Sequence, residues 1–435
     1  MVPSAYPLSP EASTEAPQKP PDMLSLRALG RAVAALAVLW AALIAATGAG
    51  LIKLEGAETT ESSTSLLFMW WALLAFVPLW IAVRPSSRVG VLSASVAIAL
   101  TAVLELAAPR LWPYTPVVGS GLGCLGALCT YAFWGPDTHR SRSRYALLTG
   151  LILCLYVLLS GFPLSFSAQS GTPPVDFVAY AGDEALGGQF SQWVESLFLA
   201  VPLLAQLCFH VYNAVALGLA IVLAWQIAVR DSPTRGAVLS FLIAGALGHT
   251  VYLLFPVIGP RFLFGLDGAY VSATSVFPSP VPLAAEFVLP AVIPSVPRNC
   301  MPSLHTGWAL LVFWQSRAFG RWGRVFGASF LVLTVLATLG FGLHYLVDLI
   351  AAVPFAVMVH AFFTPRGEGA ERERRQALIV STVCFVAWLL LLRFGTALLL
   401  SSTVLAWALA AATCIPSLVL EARLYRQSKA SAGAS

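Results

Sequence analysis

Two histidines and an aspartate stand out among long apolar runs. His344 and Asp348 are four residues apart in GLHYLVDLIAA. On a helix they share one face, a turn apart. The carboxylate there can hold the proton on one imidazole nitrogen and leave the other free as a nucleophile. A carboxylate in so apolar a run is costly unless paired. His305 sits in MPSLHTGWA, after Pro302 and Ser303. Pro-Ser ahead of an apolar run reads as a helix start with Ser303 as N-cap, so His305 falls in the first turn. The free N–H groups of that turn point towards an anion, and an imidazole beside them can give a proton to a leaving oxygen. Arg261 in VIGPRFLF and Arg298 in VPRNCMPSLH share the loop 257–302. Guanidinium groups there suit two-pronged contact with phosphate.

Each feature has a plainer reading when taken alone. His344 and Asp348 read equally as a structural pair packing two helices, His305 as a structural or surface residue, and the arginines as side chains snorkelling to lipid headgroups. Gathered at one end of a bundle, they favour phosphoryl transfer. His344 would attack phosphorus in line while Asp348 holds and polarises it. Arg261, Arg298 and the helix start capped by Ser303 would stabilise the non-bridging oxygens. His305 would protonate the departing oxygen, then take the acceptor's proton. Water as acceptor makes a phosphatase; a sugar, polyol or lipid alcohol makes a transferase. This chemistry calls for no cofactor and no metal, and no carboxylate cluster in the sequence suggests a metal site.

The elements that must position these residues are membrane helices. The chain has 435 residues, of which 58% are hydrophobic and 10% charged. Its mean hydropathy is +0.81. A soluble domain carries nearer a quarter of charged residues, so an all-α polytopic membrane protein is expected. Apolar spans are read near 32–52, 66–83, 89–108, 117–134, 145–163, 211–229, 236–256, 303–319, 324–342, 345–363, 377–392 and 395–417. That makes about 12 transmembrane helices. The stretch 193–210 is apolar but interrupted by Glu195, Pro202 and His210. It reads as an interfacial helix or a lead-in to the next span. Every second loop is basic, from Arg27 and Arg31 through HRSRSR at 139–144 to Arg372, Arg374 and Arg375. The intervening loop 164–195 carries Asp176, Asp183, Glu184 and Glu195 and no basic residue. The alternation places both termini in the cytoplasm and the histidines on the opposite face. Of seven cysteines, six fall in or beside apolar spans and read as small packing residues; Cys300 alone lies in a loop. Neither a disulfide framework nor a zinc spacing is evident.

PSLH at 302–305 and HYLVD at 344–348 resemble two signatures of the type 2 phosphatidic-acid phosphatase superfamily, a Pro-Ser-Gly-His segment and the end of Arg-x5-His-x3-Asp. Leu304 replaces the glycine, and Thr338 stands where the arginine is expected. Pro260-Arg261 resembles a remnant of the first signature, Lys…Arg-Pro, in reversed order. The combination looks more like the branch containing inositol phosphorylceramide synthases. The resemblance implies a catalytic triad of His305, His344 and Asp348, with Arg261 binding phosphate and Arg298 standing in for the missing arginine. It also implies a six-helix catalytic core at 145–363. A disordered tail at 1–26 and a four-helix region at 27–144 would precede that core. A basic loop at 364–376, a helix pair at 377–420 and a cytoplasmic tail at 421–435 would follow it. The implied reaction moves a phosphorylated headgroup from a phospholipid or prenyl-phosphate donor to a lipid alcohol or water at the extracytoplasmic face, with no nucleic-acid partner. The Ala-, Arg- and Leu-rich composition suits a bacterial inner membrane. A lipid phosphate or prenyl-diphosphate phosphatase is the nearest alternative. A transporter or flippase using the same ionisable residues is the alternative of another class.

Overall fold

The computed structural model describes residues 25–48, 61–107, 114–169, 172–264, 275–286, 296–365 and 370–433. The tail expected at 1–26 lies outside them except for its last two residues. Every regular element among the described residues is helical. In chain order the first six helices are α1 (Leu26–Gly48), α2 (Glu61–Leu74), α3 (Phe76–Val83), α4 (Ser87–Ala107), α5 (Thr115–Trp134) and α6 (Asp137–Gln169). There follow α7 (Asp176–Ala185), α8 (Phe190–Ala200), α9 (Pro202–Asn213), α10 (Val215–Arg230), α11 (Arg235–Leu254) and α12 (Pro260–Phe264). The last six are α13 (Leu304–Ser316), α14 (Gly320–Gly340), α15 (Leu346–Phe363), α16 (Glu371–Phe394), α17 (Thr396–Leu400) and α18 (Thr403–Gly433).

Eight of these helical segments are long and apolar enough to cross a membrane, with α13 and α14 counted as one run, Leu304–Gly340. Packing shows that run to be a hairpin. Gly320 has φ +72°, and a Cβ on Gly327 would stand 2.8 Å from the Cα of Phe313. Fourteen residues of straight helix would hold those positions about 20 Å apart, so the chain reverses and α14 returns along α13. The segment 66–83 is broken at Ala75 into α2 and α3, and Phe68–Val83 and Val215–Arg230 are shorter apolar helices. The interrupted stretch 193–210 is not a straight span. α8 and α9 meet at 119°. Val201 precedes Pro202, and a residue before proline is driven out of helical geometry; its backbone is at φ −131°, ψ 75°. The acidic loop 164–195 holds an element that charge alone did not reveal, the helix α7.

α15 is the central helix. Two-thirds (67%) of its apolar window is buried inside the protein, against 11% for α4. It packs on α7, α11, α13, α16 and α18. Its sequence, LVDLIAAVPFAVMVHAFF, is apolar all round, as a helix enclosed by other helices must be. The outer surface is the reverse of a soluble one: Leu106, Phe394 and Val404 are each at least 80% exposed. Apolar surface of that extent is suited to lipid.

At the far end of α13 and α15, the Arg317 guanidinium grips both carboxylate oxygens of Glu421 on α18. The Arg317 guanidinium also lies over the ring of Tyr425, and His360 Nδ1 is 3.7 Å from Glu421. The two ion-pair side chains are only 13% and 3% exposed, so neither charge has water to fall back on. Arg317→Ala would strand the Glu421 carboxylate and should destabilise the bundle by about 3 kcal/mol or more. A thermal-unfolding midpoint in detergent that matches the unsubstituted protein would contradict that role.

Candidate active site

Three segments converge at the other end of the bundle: 256–261, which runs from the end of α11 into the single-turn α12, 298–303 before α13, and 341–345 between α14 and α15. They are stitched by main-chain hydrogen bonds. Arg261 N–H donates to Gly342 O at 2.7 Å, Cys300 N–H to Val257 O at 3.1 Å, and Ser303 N–H to Asp348 O at 3.2 Å. Leu343 and His344 both donate to Thr338 O at 3.2 Å. Position 338, where the resemblance expected an arginine, therefore serves through its carbonyl. The segments also meet at Gly259, which has φ +88° and whose Cβ position lies 2.6 Å from Leu343 O. Only glycine fits such a turn pressed against a neighbouring carbonyl.

His344 is 4% exposed and Asp348 fully buried. His344 Nδ1 lies 3.4 Å from Asp348 Oδ2, slightly beyond an ordinary hydrogen bond. The same oxygen accepts the Tyr345 N–H at 2.8 Å, which caps α15 and fixes the carboxylate. Asp348 Oδ1 is buried without a hydrogen-bond partner among the described residues. With Nδ1 facing Asp348, Nε2 is the nitrogen left for chemistry.

His305 occupies the first turn of α13. Ser303 caps that helix, its hydroxyl accepting from Thr306 N–H at 3.4 Å and donating to Thr306 Oγ1 at 3.1 Å. The hydroxyl expected to bind phosphate is thus held within the cap. The imidazole of His305 stacks on Tyr212 of α9, with ring centres 3.8 Å apart and planes 14° from parallel. Phe68 of α2 approaches from another side at 5.7 Å. His305 is within electrostatic reach of His344, and its Nε2 is buried without a hydrogen-bond partner among the described residues. Nothing in the sequence spacing links positions 68, 212 and 305.

The two arginines differ. Arg261 is 2% exposed; its backbone is joined to Gly342, and its Nη1 donates weakly to Phe341 O at 3.4 Å. Arg298 is tied to the end of α6: its N–H donates to Ser167 Oγ at 3.2 Å, and its Nη1 donates to the carbonyls of Ala168 and Val296. Burial lowers the Arg298 pKa while nearby Asp176 opposes that shift. One guanidinium nitrogen, Nη1, is therefore spent on main-chain carbonyls of its own surroundings.

Sequence reasoning missed α7. Asp176 accepts the N–H groups of Ile258 and Gly259, each at 2.9 Å, and the Tyr345 hydroxyl at 3.0 Å. Asp183 accepts the N–H groups of Leu346 at 2.9 Å and Val347 at 3.0 Å. Burial pushes the Asp176 carboxyl up to about 7 and raises Asp183 above its ordinary value, in both cases against the pull of the hydrogen bonds. The available signal was two aspartates seven residues apart in DFVAYAGDEA, whose remaining residues apart from Glu184 are uncharged.

Cys300 also belongs here. Its thiol donates to Leu343 O at 3.0 Å. Cys300, His344 and Asp348 place one donor atom each within 4.8 Å of one another, all buried, a set able to ligate a soft divalent ion.

Gly259→Ala would force a side chain against Leu343 O in a backbone conformation that costs a non-glycine residue about 1–3 kcal/mol. Any activity of the site should fall at least about 10-fold, by displacement of the segments bearing Arg261 and His344. Unchanged activity in a well-folded Gly259→Ala protein would show that this contact does not set the geometry.

Comparison with known proteins finds a similarity over part of the chain. No curated protein and no solved structure matches it. Residues 180–362 match the PAP2 superfamily, the type 2 phosphatidic-acid phosphatases. The matched segment holds Arg261, Arg298, Ser303, His305, His344 and Asp348; it leaves out the span at 145–163 that the resemblance had placed in the core. Residues 180–362, less than half of the chain, are thus similar to the PAP2 superfamily, with further long apolar helices on either side.

Proposed function

We propose that the protein is a membrane lipid phosphotransferase that moves a phosphorylated headgroup, of the inositol-phosphate kind, to a lipid alcohol through a phosphohistidine intermediate. The observation that carries this is the buried His344–Asp348 pair, 3.4 Å apart, with His305 within electrostatic reach of His344 and the Arg261 main chain bonded to Gly342. Asp348 holds the Nδ1 proton. The lone pair on Nε2 attacks phosphorus, and the bond to the donor's lipid oxygen breaks. His305 in its protonated form gives that oxygen its proton. Arg261 and the N–H groups at the start of α13 offset charge on the non-bridging oxygens. The acceptor hydroxyl then attacks phosphorus, its proton goes to His305, and the phosphorus–nitrogen bond breaks. These steps need only the side chains named.

Two considerations favour a lipid alcohol over water as acceptor. The branch resemblance points to headgroup transfer. The reacting groups are also nearly sealed from solvent, which slows hydrolysis of a reactive intermediate. The helices support a twelve-crossing arrangement in which α13 and α14 count separately and the bent α8–α9 pair does not cross. The basic loops and both termini then face the cytoplasm, and the site lies at the extracytoplasmic face of what composition suggests is a bacterial inner membrane.

Purified protein in detergent would be given phosphatidylinositol, phosphatidate or a prenyl diphosphate, each with and without ceramide or diacylglycerol. Products would be read by mass spectrometry. A new phospholipid appearing only with an acceptor is expected. His344→Ala should abolish it, and His305→Ala should slow it about 100-fold or more. Free phosphate formed equally with and without acceptor would establish the phosphatase instead. Turnover that survives His344→Ala would refute the mechanism.

A further inference from the structure

The nucleophile is carried by an irregular segment and the phosphate-binding arginine by the single-turn helix α12, and neither is rigid by virtue of its own secondary structure. α7 touches both. Asp176 and Asp183 are seven residues apart, two helical turns, so both point from one face of α7 with a separation of about 10 Å along its axis. Asp176 takes the adjacent N–H groups of Ile258 and Gly259, three and two residues before Arg261. Asp183 takes the N–H groups of Leu346 and Val347, the first two of α15 and just after His344. Asp176 adds the Tyr345 hydroxyl. Both carboxylates are fully buried. The chain leaving α7 continues the grip, since Ser191 Oγ donates to the carbonyl of His344 itself. Close docking is possible because Gly182 lies against α15, where a Cβ would meet Val347 Cγ1 at 2.9 Å.

We propose that α7 is a positioning strut for the transfer reaction, with Asp183 setting the nucleophile His344 and Asp176 setting the segment of the phosphate-binding Arg261. The inference rests on the proposed phosphotransfer and extends it to two carboxylates that touch no substrate. A buried carboxylate that accepts two main-chain N–H bonds can be replaced by little else. An amide in its place turns one acceptor into a donor facing an N–H group. One buried N–H is then left unsatisfied, a loss equivalent to about 5- to 150-fold in an equilibrium or a rate. The two ends of the strut should fail differently. Movement of the nucleophile is felt in the transition state, whereas movement of the phosphate-binding arginine is felt on substrate binding as well.

The test compares Asp183→Asn and Asp176→Asn in the full-length protein with a control of purely structural effect, Glu421→Gln at the opposite end of the bundle. Steady-state kinetics would be measured with the donor that the unsubstituted protein turns over. Asp183→Asn should lower kcat about 10-fold or more with KM within about 3-fold, and Asp176→Asn should raise KM about 5-fold or more. Glu421→Gln should lower the unfolding midpoint with kcat unchanged. Hydrogen exchange supplies a reading that needs no substrate. The peptides covering 257–262 and 344–348 should exchange faster in Asp176→Asn and Asp183→Asn respectively. Normal kcat and KM in both variants, or exchange at both peptides equal to that of the unsubstituted protein, overturns the strut while leaving His344-dependent turnover standing. Kinetic losses in Glu421→Gln of the same pattern would also overturn it, by reducing the effect to stability. Absence of any His344-dependent turnover would instead overturn the phosphotransfer reading, and with it the strut.

Discussion

Irregular backbone at the end of an apolar bundle has to satisfy its own hydrogen bonds, because hydrocarbon offers none. The rest of the site depends on that constraint. The segments 256–261, 298–303 and 341–345 meet it by pairing with one another, with Arg261 N–H on Gly342 O, Cys300 N–H on Val257 O and Ser303 N–H on Asp348 O. The N–H groups left over, at Ile258, Gly259, Leu346 and Val347, are taken by Asp176 and Asp183. The bonds that make the segments tolerable in an apolar surrounding also hold Arg261, His305 and His344 in one place. Rigidity here comes largely from main-chain accounting.

The polar residues of the central bundle divide by end. Near the start of α15 lie Asp348, His344 and the two aspartates of α7. Near its finish His360 faces Glu421, itself held by Arg317. Between these ends α15 is apolar except for backbone. A transporter that carries ions through the bundle would call for ionisable groups at mid-depth, and the described part of this central helix has none. The helices outside the superfamily match are still joined to the site. Trp388 of α16 donates to Val347 O at 3.1 Å, and Phe68 of α2 reaches the His305 ring. The flanking helices therefore help to form the walls of the site as well as its surroundings.

Much of the architecture was legible in the sequence, because long apolar runs between basic loops leave few alternatives, and a helix lies in each stretch so read. His344 and Asp348 do lie 3.4 Å apart, but not as neighbours on one helix face, since His344 precedes the N-cap Tyr345 of α15; Ser303 as cap followed from its place before an apolar run. What escaped has physical reasons. α7 is ten residues long and carries three acidic groups, so charge marked it as loop; its aspartates are buried only because amide groups distant in sequence need them. The bend between α8 and α9 follows from Pro202, but its 119° angle is set by tertiary packing. Cys300 looked like a loop cysteine and proved to be buried against the carbonyl preceding His344. Arg298, read as a phosphate ligand, has one guanidinium nitrogen bound to main-chain carbonyls of its own surroundings, a commitment that no local pattern announces.

The central claim is that phosphorus becomes bonded to His344. The most direct measurement is to mix the protein with donor lipid in the absence of acceptor and quench at mildly alkaline pH, where phosphohistidine survives. Peptides spanning 341–348 would then be mapped by mass spectrometry. The account predicts a phosphoryl or phosphoryl-headgroup adduct on His344 that vanishes when acceptor is added and never forms in the His344→Ala variant. Turnover without any adduct on His344, or an adduct on another residue, would contradict it.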